Sequence, residues 1–179
     1  MAALPCYYFL IRGILDPKEK TEQSMATWVL WGILDALTLW SVREQEGNWP
    51  ILALYVLGNI SVSIALLYTR QFSWTSFENF IVFLVLGCLV FRHFGGPIWL
   101  TGAGTTAVAL ATLPQIRDSW IKPNPETVSI WWGFTIANVL SFLGGKDWSI
   151  EERLYPGVCV VLCLTLVIAN KRHKKNPGI

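Results

Sequence analysis

Charge is scarce in this chain. Asp, Glu, Lys and Arg make up 15% of its 179 residues, against about 25% in an ordinary soluble domain. The net charge is +2 and no basic patch interleaves with aromatic residues, so nucleic acid is not an expected partner. Histidine is scarcer still. His93 and His173 each stand beside the end of an apolar run, far from other ligand types, and no metal site is expected. The four cysteines, Cys6, Cys88, Cys159 and Cys163, all lie in apolar stretches without a CxxC pair. That argues against a secreted disulfide framework and against a zinc site; small apolar packing residues are the simpler reading. The chain has no Gly-rich phosphate loop and no nucleophile-base pair. An enzyme reading has little support, and no cofactor is expected.

What the chain has is hydrophobicity: 53% of residues, with ten tryptophans. A bilayer core of about 30 Å takes roughly 20 apolar residues per helix. Six segments meet or approach that length, at about 25–42, 49–68, 77–94, 97–116, 127–144 and 153–170. The polar links between them are too short for a soluble domain, so the expectation is one multi-pass membrane domain over 1–179. Trp49, Trp74, Trp99, Trp120 and Trp148 fall at segment ends, where an amphipathic ring suits the headgroup layer. The stretch "LPCYYFLIRGIL", residues 4–15, is too short to span as a helix, at about 18 Å. It lacks a signal-peptide cleavage site. It reads as an interfacial helix or as the remaining half of a spanning one.

With six spans, both termini share a side. Ten of the fourteen Lys and Arg residues fall on that side, including Arg12, Arg70, Arg117 and the basic tail at 171–179. The positive-inside rule then puts both termini in the cytoplasm. A plain stop-transfer anchor is the simplest role for the tail.

An internal repeat is visible. "EQSMATWVLWGILDALTLW", residues 22–40, aligns with "PETVSIWWGFTIANVLSFL", residues 125–143. Trp31-Gly32 and Trp132-Gly133 match at an offset of 101. Each copy follows a polar turn rich in Lys, Pro and Glu, and precedes a short loop with a Trp and then another span. The expected fold is all-α: a degenerate three-helix unit at 1–68, a connector helix at 77–94, and a complete three-helix unit at 97–170. An odd connector lets the two units keep the same orientation, one of the known transporter plans.

The complete unit carries "TLPQI", a basic-polar turn, then "ETVSIWWGFTIANVLSF". On these residues the chain resembles the PQ-loop superfamily, to which the SWEET and SemiSWEET sugar transporters belong. The likeness covers 97–170 well and 21–68 loosely. It implies a cytoplasmic Pro-Gln pair, here Pro114-Gln115, which the charge count places on the same side independently. It also implies a cavity-facing Asn on the third helix of a unit, a place that Asn59 suits. The second unit has Pro156-Gly157 instead of that Asn, and the first has Leu4-Pro5-Cys6 where Pro-Gln would stand. These departures fit a divergent bacterial branch, and hence a bacterial plasma membrane, better than a true SWEET.

Several side chains carry the expected chemistry. Asp35 sits mid-span, where a carboxylate costs about 2.5–3.5 kcal/mol on insertion scales. It should face the bundle interior or a wet cavity. Desolvation disfavours the charged form of a carboxyl, so Asp35 is the expected proton coupler; the alternative is a protonated Asp bonded across helices. Asn59 and Asn138 lie at similar depth and need partners, since an unpaired polar group in hydrocarbon costs several kcal/mol. They are the expected solute hydrogen-bonders. Trp31 and Trp132 are the expected stacking walls, with Trp28 and Trp131 better suited to interfacial anchoring. Pro114 with Gln115 is a gate hinge, or Pro114 simply ends its helix. The small-residue stretch "TGAGTTAVALA" suits close helix packing.

These features together describe a transporter that moves a small polar solute (a sugar, amino acid or vitamin) by alternating access, with protons as a candidate coupling ion. The other reading is a membrane receptor or assembly factor built on the same helices. A homo-oligomer that supplies the missing first helix stays open.

Overall fold

In the computed structural model, residues 3–16, 23–44, 50–70, 74–94, 97–144, 148 and 150–172 are described. Trp49 and the tail beyond Arg172 lie outside them. Among the described residues seven α-helices follow one another: α1 (Ala3–Leu15), α2 (Met25–Glu44), α3 (Pro50–Thr69), α4 (Ser76–Phe94), α5 (Pro97–Ile121), α6 (Val128–Leu143) and α7 (Ile150–Lys171). A 3-10 turn, Pro125–Thr127, leads into α6. No strand occurs among the described residues.

Local chemistry sets several boundaries. Thr75 and Glu78 form a capping box at the start of α4: the Glu78 carboxylate accepts from both the amide and the hydroxyl of Thr75. Asn124 accepts from the Glu126 amide at 3.0 Å, and Pro125 follows it. A proline at a first helical position loses no bond, because its N–H would be unpaired there anyway. The Asn124 amide donates to Asn170 Oδ1 at 3.1 Å, which ties this turn to the end of α7. Past the end of α3, Arg70 takes a left-handed φ of 53°.

The packing order is the same in both halves. α1 packs on α3 and α3 on α2; α5 packs on α7 and α7 on α6. The halves meet through α2 against α5 and α1 against α6, so the first helix of each triplet faces the second helix of the other. α4 lies against α5. α1 buries one face only: Leu10 and Ile14 are fully buried between α3 and α6, while Tyr8, Phe9 and Leu15 stay exposed. Pro114, against one of the two sequence readings, does not end its helix; α5 continues to Ile121.

The core has two centres. One joins Tyr7, Leu10, Trp28, Leu66, Trp131 and Leu166 across the two triplets. The other joins Leu30 and Leu34 to Ile81 and Val85 of α4, and to Ala107 and Ala111 of α5. Both alanines are fully buried, whereas Gly102 and Gly104 of the same small-residue stretch have open space where a Cβ would stand.

The exterior is apolar. Leu57, Ile64 and Leu67 of α3, Phe80 and Phe83 of α4, and Val161 of α7 are all more than half exposed. The interior holds polar groups: Asp35, Asn59, Thr112, Gln115 and Asn170 are all buried. Trp74, Trp120 and Trp148 are exposed at helix ends. Arg172 stacks over Trp120, 4.0 Å from the ring centroid, and Arg153 over Trp148 at 4.4 Å. Among the described residues, one helix, Arg153–Lys171, is both long and apolar enough to cross a membrane. The apolar segments Leu4–Leu15, Met25–Leu37, Ala53–Thr69 and Ser76–Val90 are shorter.

Candidate functional site

A cavity of about 70 Å³ lies where the two triplets meet. α2 contributes Trp31 and Asp35, α3 contributes Tyr55 and Asn59, and α1 contributes Tyr7. From the other triplet come Thr112 of α5, Trp131, Phe134 and Asn138 of α6, and Tyr155, Cys159 and Cys163 of α7. Four of the residues singled out from the sequence, Trp31, Asp35, Asn59 and Asn138, therefore share one cavity.

Asp35 stands at the centre of a hydrogen-bonded chain. The Tyr7 hydroxyl donates to Asn59 Oδ1 at 2.9 Å. Asn59 Nδ2 donates to Asp35 Oδ2 at 2.8 Å. From α7, the Tyr155 hydroxyl donates to Asp35 Oδ1 at 3.4 Å. This chain joins α1, α3, α2 and α7, so it crosses from one triplet to the other. Tyr7 and Tyr155 were not singled out from the sequence. Tyr7 reaches Asn59 because Gly58 leaves its place clear: a Cβ there would sit 2.5 Å from Tyr7 Cζ.

Asn138 is held less firmly. Its Nδ2 donates to the Phe134 carbonyl at 2.9 Å, within its own helix, and approaches Cys163 Sγ at 3.9 Å. Among the described residues no donor reaches its amide oxygen. Cys159 and Cys163 share one face of α7 and both line the cavity.

The tryptophans fall differently from expectation. Trp132 is 46% exposed and does not line the cavity. Trp131 lines it instead, buried to 1% exposure. Trp28 is fully buried, which excludes an interfacial role for it and for Trp131. Trp28 and Trp131 stack with centroids 6.2 Å apart and planes 23° from parallel. The cause is register. Trp28 with Trp131, and Asp35 with Asn138, are both separated by 103 residues, not 101. At the 101 offset the two Trp-Gly pairs face different neighbours: a Cβ on Gly32 would touch Asn59 of its own triplet, and one on Gly133 would meet Cys6 of the other.

Pro114 and Gln115 are both buried in the α2–α5 seam. Gln115 Oε1 accepts from the Ser24 amide at 2.7 Å, and the Gln115 amide donates to Thr27 Oγ1 at 3.1 Å. Gln115 Nε2 donates to Ser119 Oγ at 3.2 Å. Ser24 and Thr27 stand at the start of α2. Gln115 thus holds the two triplets together at the Pro-Gln end, and the Trp28–Trp131 stack lies beside it on the same end of both helices.

Compared with known proteins, the chain matches no family model, no curated protein and no solved structure.

Proposed function

We propose that the protein is a multi-pass membrane transporter of PQ-loop type, with two parallel three-helix units that rock about a shared cavity to move a small polar solute. The carrying observation is the cavity itself. Both units supply its polar groups: Asp35 and Asn59 from one, Asn138 and Tyr155 from the other. A cavity built across a seam changes shape when the seam opens.

The membrane reading rests on the inverted distribution of polarity. A soluble monomer rarely exposes apolar patches beyond a few hundred Å². Here outward-facing Leu57, Ile64, Phe83 and Val161 are more than half exposed while Asp35, Asn59 and Gln115 are buried. α2, α3 and α5 have 20 or more residues each, about 30 Å at 1.5 Å per residue. The repeated packing order of the triplets supports the 3-1-3 plan, with α4 as the connector. The Gln115 ties make this conformation the one closed at the Pro-Gln end, and Pro114 beside them is the hinge.

Uptake by proteoliposomes of a panel of sugars, amino acids and vitamins tests the proposal. Flux above that of empty vesicles for one of them supports it. Absence of flux for all of them, with correctly inserted protein, overturns it in favour of a receptor or assembly role.

A further inference from the structure

Among the described residues that line the cavity there is one carboxylate and no cation. Asp35 is 7% exposed, and its partners are the Asn59 amide and the Tyr155 hydroxyl, both neutral. An ionised carboxylate offers about four acceptor positions, so two are left over. The titratable groups that line the cavity with Asp35 are Tyr7 of α1, Tyr55 of α3, and Tyr155, Cys159 and Cys163 of α7. α5 and α6 add Thr112 and Asn138, and α4 meets the same stretch of α2 with Ile81 and Val85. None of these carries positive charge. A buried carboxylate without a counter-charge is costly; it takes up a proton or pairs with a cation. A cation that pairs with Asp35 here has to enter from outside.

The walls agree. Six aromatic residues line the cavity: Tyr7, Trp31, Tyr55, Trp131, Phe134 and Tyr155. Aromatic faces attract a cation electrostatically, tryptophan best. A second pair of unsatisfied groups faces the opposite need. Trp31 Nε1 and Trp131 Nε1 are buried and have no hydrogen-bond partner among the described residues. A buried indole N–H usually finds an acceptor. Trp31 and Trp131 lie one turn or more from Asp35 toward the Pro-Gln end, so the acceptor they lack is at some distance from the carboxylate.

Resting on the transporter reading above, we infer that the solute is a small primary amine bearing an oxygen. Its ammonium pairs with Asp35 between the aromatic walls, and its oxygen accepts from the indole N–H groups of Trp31 and Trp131. Size sets the class further. An apolar cavity of about 150 Å³ admits benzene, with six heavy atoms; in proportion one of about 70 Å³ holds about three, so an amino alcohol of about four heavy atoms stands at the upper limit. A sugar ring does not fit this conformation. Proton and ammonium compete for the same carboxylate, so the solute is exchanged for protons rather than carried with them.

Three probes of four heavy atoms separate the two contacts: ethanolamine, propylamine without the oxygen, and ethylene glycol without the amine. Binding is read from tryptophan fluorescence of the full chain in detergent. Ethanolamine is expected to bind at least ten-fold tighter than either analogue, and to weaken as pH falls and Asp35 takes up a proton. Asp35→Asn is expected to abolish the preference for ethanolamine over ethylene glycol. Trp131→Phe keeps the ring and removes the N–H, and is expected to bring ethanolamine down to propylamine. Since Asp35→Asn could unfold the chain, the wild-type pH titration and Trp131→Phe carry the test alone if needed. Ethylene glycol binding as well as ethanolamine overturns the ammonium contact, and propylamine doing so overturns the oxygen contact. Ethanolamine binding without flux in proteoliposomes upholds the inference while removing transport. Flux of a neutral sugar with no ethanolamine binding does the reverse.

Discussion

Asn59 Nδ2 donates to Asp35 Oδ2 at 2.8 Å, in a pair buried to 1% and 7% exposure. This bond fixes the carboxylate in the cavity between the triplets, and the Tyr7 hydroxyl fixes Asn59 in turn. The Asn138 side chain has no such tie. It bonds to its own helix and to a thiol. Replacing each by Ala is therefore expected to have unequal effects. Asn59→Ala leaves two buried partners unpaired, at about 1–3 kcal/mol each. Asn138→Ala is expected to cost less than half as much. Thermal unfolding of the two variants in the same detergent makes the comparison; equal losses would contradict it.

The two glycines of this region separate packing from helix propensity. Gly58→Ala puts a Cβ against three atoms of the Tyr7 ring, which is itself buried. Overpacking of this kind costs about 1–3 kcal/mol, and here it also displaces the Tyr7 hydroxyl from Asn59. Gly32→Ala meets Asn59 Cβ at 3.6 Å, an ordinary contact. It is expected to be neutral or to stabilise slightly, because Ala is the better helix former. Melting temperatures of both variants check this; Gly58→Ala melting at or above the parent would refute the close approach of Tyr7.

Gln115 acts across the seam. Gln115→Leu keeps the bulk and deletes the acceptor of the Ser24 amide. An unpaired buried N–H costs about 1–3 kcal/mol, a cost borne by the closed seam alone if the seam can open. Opening should then increase by about ten-fold, since 1.4 kcal/mol is one decade. Cys163 lines the cavity and reports it. With Cys6, Cys88 and Cys159 replaced by Ala, the rate at which a small methanethiosulfonate modifies Cys163 is expected to rise by that factor in Gln115→Leu. An unchanged rate would make Gln115 a packing residue and no gate.

Glu78 and Arg117 are unequal partners. Their ion pair spans 3.4 Å, but Glu78 is 1% exposed and the Arg117 side chain 42%. Glu78 also caps α4 through Thr75. Loss of a cap costs about 0.5–2 kcal/mol, while a half-exposed pair is worth at most about 1 kcal/mol and is screened by salt. Glu78→Ala is expected to lower the melting temperature more than Arg117→Ala, and high salt should remove a larger share of the Arg117 effect than of the Glu78 effect, whose capping part is not screened.

Much of this arrangement was legible in the chain. The boundaries of α2, α3, α4 and α7 follow from apolar run length. Asp35, Asn59 and Asn138 stand out because a polar group in an apolar run must turn inward. Faces were harder to read. A helix apolar on all sides shows depth but not direction, so matching the two Trp-Gly pairs by identity put Trp132 in the wall that Trp131 forms. Tyr7 and Tyr155 were missed for a similar reason: a tyrosine near a helix end suits an interface as well as a cavity, and only the third dimension brings them to Asn59 and Asp35. In the sequence Pro114 suits a hinge or a helix end equally, and the distinction depends on α2, whose Thr27 hydroxyl receives the next amide along α5.

The central claim, that Asp35 couples solute movement to protons across a cavity between two triplets, is tested most directly by uptake in proteoliposomes. Flux would be measured across a range of pH for the wild-type chain and for Asp35→Asn. The account predicts that wild-type flux responds to an imposed pH gradient and that the variant, with nothing left to titrate at this position, loses the response. Flux in Asp35→Asn with its full pH dependence would contradict it.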